Sequence, residues 1–115
     1  MEKTNWIEKI KEAVRVAMNK GLNITAGISK GFPYTIIIDH KFGIYIFKET
    51  ISISTSNGYI SIDHSLTDRE ELEIQALTLS IKEYNEDMAI SEFEEFISDK
   101  KEEITNINDL DNDDE

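Results

Sequence analysis

The sequence predicts an α+β fold: an N-terminal helix, four or five mostly antiparallel strands, and then two C-terminal helices. Two changes of hydrophobic period and three helix-capping patterns support this fold class. Apolar residues recur every three to four positions before residue 20 and after residue 68, and alternate with polar residues between 22 and 63. The 115 residues suffice for one hydrophobic core. We expect residues 1–104 to form one domain and the acidic residues 105–115 to form a flexible tail.

The first helix is expected over residues 6–20. Asn5 can cap its N-terminus, Glu8 stands three residues later as in a capping box, and Gly21 suits the left-handed residue that ends a helix. Its apolar residues fall within an arc of about 140° on a helical wheel, which predicts one buried face: Trp6, Ile7, Ile10, Ala13, Val14, Ala17 and Met18.

The strands are expected as short runs separated by turn residues, at 22–28, 34–39, 44–55 and 59–63. The third run is rich in β-branched and aromatic residues, but its alternation slips near Lys48–Thr50. We therefore expect a bulge or a break there, which would divide the run into two strands. The triplet Ser56-Asn57-Gly58 predicts a tight hairpin into the last strand.

Two helices are expected after the strands. Thr67 and Glu70 form a capping-box pattern, which predicts a second helix over 68–88, and Ser91 and Glu94 repeat the pattern before a third helix over 92–104. The second helix has two apolar stripes, Leu72, Ala76 and Leu79 on one side and Ile74, Leu77, Ile81, Tyr84 and Met88 on the other. A helix that is apolar on two sides is expected to be buried on two sides, between the sheet and another helix or a second copy of the chain.

The charge is concentrated in the second half of the chain. The net charge is −12, yet residues 1–64 carry eight basic and six acidic side chains, whereas residues 65–115 carry four basic and eighteen acidic ones. Such a field repels nucleic acid and anionic membranes and favours a basic protein partner. The absence of cysteine excludes disulfides and thiolate metal sites. No apolar run resembles a signal peptide or a membrane span, so we expect a cytoplasmic protein.

Both histidines follow an Ile-Asp pair at the end of a predicted strand, in Ile-Asp39-His40 and Ile-Asp63-His64. Asp and His are common where a strand enters a turn, and we expect that role. The alternative is a metal-dependent enzyme in which His40, His64 and one carboxylate share a site. No motif spacing supports that alternative, and neither a glycine-rich phosphate loop nor a nucleophile elbow occurs. We therefore expect no catalysis, no metal and no cofactor.

The third predicted helix carries five carboxylates within about 100° of arc, with no base among them: Glu92, Glu95, Asp99, Glu102 and Glu103. Glu83, Glu86 and Asp87 are candidate extensions. The plainer interpretation is a solvated face that keeps the protein soluble. The functional interpretation is a row of negative charges about 5–6 Å apart, comparable to a phosphate backbone, which a Lys/Arg groove for nucleic acid could accept.

The helix, the antiparallel strands and the acidic C-terminal helices of residues 6–104, in a small cysteine-free chain, resemble phage-encoded inhibitors of the anti-CRISPR type. Those proteins occupy the DNA-binding face of a CRISPR nuclease. The resemblance rests on architecture and charge and includes no motif, so it assigns no residue a role. It implies a stoichiometric inhibitor of a CRISPR, restriction or other nuclease, and small acidic immunity proteins against nuclease toxins share these features. The alternative function is a small acidic dimeric adaptor or secretion-chaperone-like protein, with a stripe of the second helix as the dimer face.

Overall fold

The computed structural model of the chain describes residues 5–27 and 31–113, with side chains up to residue 102. The fold is α+β, as predicted, and its elements are α1 (Trp6–Asn19), β1 (Ile24–Ala26), β2 (Tyr34–Ile38), β3 (Phe42–Ile46), β4 (Thr50–Thr55), β5 (Gly58–Asp63) and α2 (Asp68–Asp113). The chain divides into two compact units, Met1–Asn85 and Glu86–Glu115. The first unit holds the sheet, α1 and the beginning of α2.

The five strands form one antiparallel sheet in sequence order, from β1 to β5. The predicted break is confirmed, because β3 ends at Ile46 and β4 begins at Thr50. The amide of Phe47 donates to the carbonyl of Thr50 at 2.8 Å and closes the turn. This turn resets the alternation, so Ile46 pairs with Ile51 in the register and both are buried. Of the predicted first strand, residues 24–26 are extended and Ile28 lies outside the described residues.

Helix α1 begins and ends where its capping residues predict. The Asn5 side chain accepts a hydrogen bond from the amide of Glu8 at 3.2 Å, and Gly21 takes the left-handed conformation at φ +69°. The face that packs on the sheet buries Ile7, Ile10, Val14 and Ala17. A polar cap at the N-terminus, a glycine after the C-terminus and one apolar stripe therefore place this helix without further signals.

The core of the first unit is built mainly from isoleucines of the sheet, the buried face of α1 and two residues of α2, Ile74 and Ile81. Two hydrogen bonds tie α2 to the start of the sheet. The Tyr84 hydroxyl donates to the Leu22 carbonyl at 2.8 Å, and the side-chain amide of Asn85 donates to the Ile24 carbonyl at 2.8 Å. They hold α2 against the sheet up to the end of this unit.

The two predicted C-terminal helices are a single helix, so that prediction is wrong. Helix α2 runs from Asp68 through Ser91 to Asp113. A capping box starts a helix only where the preceding residue is not already helical, and no glycine or proline interrupts residues 68–113. The helix also includes residues 105–113 of the expected tail, and residues 114–115 lie outside the described part.

Burial of α2 on two sides is not observed in the first unit. Ile74 and Ile81 are fully buried, whereas Leu72 and Leu79 on the opposite side are 65% and 56% exposed. One apolar stripe of the helix therefore packs on the core, and the other stripe contacts solvent.

Candidate functional site

The two histidines lie at opposite ends of the sheet. His40 follows β2, and His64 follows β5. Because successive strands reverse direction in this sheet, β2 and β5 run in opposite directions and end at opposite ends of the sheet. Asp39 and His40 both have positive φ, 54° and 57°, and the amide of Lys41 donates to the Ile38 carbonyl across them at 3.0 Å.

The prediction of turn residues is therefore confirmed for Asp39 and His40, and a site shared by His40 and His64 is ruled out by the topology. Within the part of the chain that the structure describes, no three His, Asp or Glu side chains are grouped so that they could hold a metal ion.

His64 instead joins the capping box that opens α2. Its Nε2 lies 3.1 Å from both carboxylate oxygens of Glu70. The predicted capping box is present in both directions, from the Thr67 amide to Glu70 Oε1 at 3.0 Å and from the Glu70 amide to Thr67 Oγ1 at 3.1 Å. Burial alone would raise the pKa of Glu70, but the hydrogen bonds from Thr67 and His64 outweigh it and lower that pKa. This cluster fixes the end of β5 to the start of α2.

Tyr34 links the sheet to the first turns of α2. Its hydroxyl donates to Glu71 Oε2 at 2.9 Å and accepts from Gln75 Nε2 at 3.1 Å. Burial raises the pKa of Tyr34, and the neighbouring carboxylate of Glu71 adds to the effect. The phenol therefore stays neutral as a hydrogen-bond donor, which suits a structural link.

An apolar groove of about 440 Å³ lies between α1 and the sheet in the first unit. Its lining includes Trp6, Val16 and Phe42, with Lys9 and Lys20 as its charged residues. The ammonium group of Lys9 lies 5.2 Å from the centre of the Trp6 ring. The lining contains no carboxylate or histidine, so it brings no acid–base pair together.

The carboxylates predicted from the sequence do share one face of α2. Glu92, Glu95, Asp99 and Glu102, which we call the acidic stripe, are all exposed in the second unit. Their separations of three, four and three residues keep them on one side of a helix. Glu103 belongs to the same helix and the same side by position, and its side chain lies outside the described residues.

The candidate extensions lie on another side of the helix. Glu83, Glu86 and Asp87 are exposed on α2, but the helical rotation places them about 100° or more from the centre of the acidic stripe. They therefore form no continuous row with it. The rotation that separates them becomes evident once residues 68–113 are known to be one helix.

No Lys or Arg stands three or four residues from a member of the acidic stripe, the spacing at which side chains on a helix pair. The positions three and four residues before and after each of its members hold Met, Ala, Ser, Phe, Thr, Asn, Asp or Glu. Each member instead has another member three or four residues away, a like-charge arrangement that destabilises a helix. The acidic stripe therefore has no structural benefit within its own helix.

Sequence reasoning missed a second surface, on the side of α2 opposite the acidic stripe. Every described residue from Glu86 to Glu102 is exposed, including large apolar side chains away from the acidic stripe that are 46–64% exposed: Ile90, Phe93, Phe96 and Ile97. A contiguous apolar patch on the surface typically marks an interaction site. The signal was available in the sequence, because the apolar spacing continues across the predicted break between the two helices.

Comparisons of the chain with protein-family models, with curated proteins and with solved structures find no match. Among the helices that the structure describes, none combines the length and the apolar character needed to cross a bilayer. The surfaces of α2 are accordingly the observations on which a functional proposal rests.

Proposed function

We propose that this protein is a non-catalytic inhibitor that binds a basic, nucleic-acid-binding surface of a partner protein through the acidic stripe of α2. A CRISPR nuclease, a restriction enzyme or another nuclease is the class of partner that fits. The observation that carries the proposal is an uninterrupted row of four exposed carboxylates on one side of one helix, with no base among them.

The electrostatics favour a partner over solvent alone. Neighbouring members of the acidic stripe repel one another across three or four residues, which costs the free helix stability. A groove lined with Lys and Arg relieves that repulsion and gains steered association, as it does with a phosphate backbone. The rise of about 1.5 Å per residue separates neighbouring carboxylates by about 4.5–6 Å along the helix axis.

The test is a pull-down from a bacterial lysate with the wild-type chain and with a variant that replaces the acidic stripe by amides: Glu92→Gln, Glu95→Gln, Asp99→Asn and Glu102→Gln. We expect the wild type to retain a nucleic-acid-handling enzyme that double-stranded DNA displaces and that dissociates as salt rises. The amide variant should retain none of it. Mass spectrometry identifies the retained protein, which is then purified and titrated directly against both chains.

A matched control separates the acidic stripe from net charge. Glu12→Gln, Asp63→Asn, Asp68→Asn and Glu94→Gln remove the same four charges from exposed positions outside the acidic stripe. This control should bind the purified partner as the wild type does. Equal loss in both variants would mean that overall charge suffices, and unchanged binding by the acidic-stripe variant would refute the proposed surface.

A small dimeric adaptor is the second candidate function. The observation that favours it is the exposed apolar side of α2, at Ile90, Phe93 and Ile97, because an adaptor needs a surface for a second copy in addition to one for its client. The two candidates differ in what the acidic stripe binds, and the purified partner decides between them.

A further inference from the structure

We propose that a second copy of this chain covers the apolar side of α2 as an antiparallel helix pair. The inference does not depend on the proposed inhibitor function, because it uses the opposite side of the helix, and it shares its surface with the dimeric adaptor. The surface concerned, which we call the apolar seam, consists of Ile90, Phe93 and Ile97, flanked by Glu86 and Lys100. All five are exposed.

The spacing of the apolar seam is that of a coiled coil. From Glu86 to Lys100 the intervals are four, three, four and three residues, which keep one seam facing a partner helix over successive turns. Leu72, Ala76, Leu79 and Glu83 occupy the four preceding positions of the same spacing. Leu72 and Leu79 are exposed as well. This spacing fits a partner surface that is itself a helix.

Charge along the seam decides the direction of the pair. In a parallel pair, equal residues face each other, so Glu83, Glu86 and Lys100 would each meet the same charge in the second copy. Like charges facing each other in a helix interface oppose pairing. A parallel pair of this seam would contain three such layers.

In one antiparallel register an attraction replaces this conflict. When Phe93 of one copy lies opposite Ile90 of the other, Lys100 lies opposite Glu83 and Ile97 lies opposite Glu86. Each Lys–Glu layer occurs twice, by the two-fold symmetry of the dimer. A charged pair within a seam favours the register and orientation that bring its members together. The ammonium group of Lys100 lies 6.0 Å from its own Phe96 ring, at the border of the seam.

The pair leaves the acidic stripe available. On a helical wheel the centres of the apolar seam and the acidic stripe are about 160° apart. Residues that face a second helix therefore bury none of the acidic stripe, and the dimer presents that stripe twice. Self-association and binding of a basic partner are compatible on one helix.

Sedimentation equilibrium with the full chain tests the apolar seam. We expect a mass of twice the 13.2 kDa of the chain at high protein concentration, with reversible dissociation on dilution. Phe93→Ser should raise the dimer dissociation constant at least about tenfold. Met88→Ser, which removes an exposed apolar side chain from the other side of the same helix, should change it less than about threefold. A monomeric wild type at about 100 µM, or equal effects of the two variants, would overturn the proposal.

Charge exchange tests the register. Lys100→Glu should weaken the dimer, and adding Glu83→Lys should restore it, since the layer is then rebuilt with its charges reversed. Circular dichroism establishes that each variant keeps its helix content. Failure of the double variant to restore a dimer whose single variant is weakened and folded would overturn the Lys100–Glu83 pairing.

Disulfide trapping gives an independent reading, because the natural chain contains no cysteine. A mixture of Glu86→Cys and Ile97→Cys chains should form a crosslinked heterodimer, and Ile97→Cys alone should crosslink far less. Efficient crosslinking of Ile97→Cys with itself would show a parallel pair and overturn the register. The acidic-stripe amide variant should dimerise like the wild type, so a failure of the proposed function leaves this result unaffected, and the reverse also holds.

Discussion

Replacing the four carboxylates of the acidic stripe by amides should make α2 more stable while it removes partner binding. The stripe contains three neighbouring like-charge pairs: Glu92 with Glu95, Glu95 with Asp99, and Asp99 with Glu102. Each such pair costs a helix about 0.2–0.5 kcal/mol. Their removal should therefore favour the helical state by about 0.6–1.5 kcal/mol, which is roughly a three- to twelvefold change in the helix–coil equilibrium.

This effect should be measurable because little tertiary packing stabilises the described part of α2 in the second unit. Helices without tertiary packing are marginal in water, and every described side chain from Glu86 to Glu102 is exposed. A gain of about 1 kcal/mol is therefore large in comparison with the intrinsic stability of this segment. An equal gain in helix free energy in the part of α2 that packs on the core, around Ile74 and Ile81, would leave the helix content unchanged.

Far-ultraviolet circular dichroism as a function of salt is the assay. Raising ionic strength from about 0.01 M to 1 M shortens the Debye length from about 30 Å to about 3 Å, so the wild-type helix content should rise and that of the amide variant should start higher and respond less. The protein is kept dilute, so that helix pairing does not contribute. The control with Glu12, Asp63, Asp68 and Glu94 neutralised should keep most of the wild-type salt response. Lower helix content in the acidic-stripe variant would show that these carboxylates stabilise α2, and it would refute the argument that they need a partner.

Three further predictions concern the first unit. The pKa of Glu70 is lowered in the folded state, so its carboxylate contributes stability above the ordinary value of 4.5 that is lost as the pH falls through the lowered value; Glu70→Gln should flatten that acid limb in thermal melts between neutral and acidic pH. Ile81 is fully buried, and Ile81→Ala should cost about 2–5 kcal/mol in urea unfolding, whereas Leu79→Ala, at an exposed position of the same helix, should cost far less. Gly21 has φ +69°, and Gly21→Ala should cost about 1–2 kcal/mol, with Gly21→Asn costing less.

The helix caps and the strands of the first unit could be predicted because their signals are local. Asn5 and Gly21 mark the two ends of α1 within one turn of the chain. The slip in alternation before Thr50 identifies a break, because the side-chain period of a strand is two and cannot shift without an irregular residue. Such signals need no knowledge of which strands pair.

The position of the histidines could not be predicted for the opposite reason. Whether the ends of β2 and β5 meet depends on strand order, which these local patterns leave open. The sequential antiparallel order places the C-terminal ends of β2 and β5 at opposite ends of the sheet. Another strand order, or a parallel pairing of β2 with β5, would have brought these two ends together. His64 instead forms a hydrogen bond with Glu70, which is only six residues away in the sequence.

The predicted break in α2 hid the apolar seam. Ser91 and Glu94 match a capping box, but Ser is tolerated inside a helix when its hydroxyl is solvated or bonds to the preceding turn, as the Ser80 hydroxyl does with the carbonyl of Ala76 in this same helix. When residues 68–88 and 92–104 are treated as separate helices, each is projected on a separate helical wheel. The regular spacing from Leu72 to Lys100 becomes visible only on one wheel.

The residues along one side of α2 change from apolar to acidic. Eighteen residues make five helical turns, and the residues eighteen positions after those that meet the core are acidic: Ile74 is followed by Glu92, Leu77 by Glu95, Ile81 by Asp99 and Tyr84 by Glu102. Carboxylates at these positions cannot be buried against an apolar surface without a large desolvation cost. Beyond Asn85 this side of the helix is therefore suited to water or to a basic partner, while the seam on the other side remains apolar. A helix pair is the arrangement that buries the seam and leaves the carboxylates accessible.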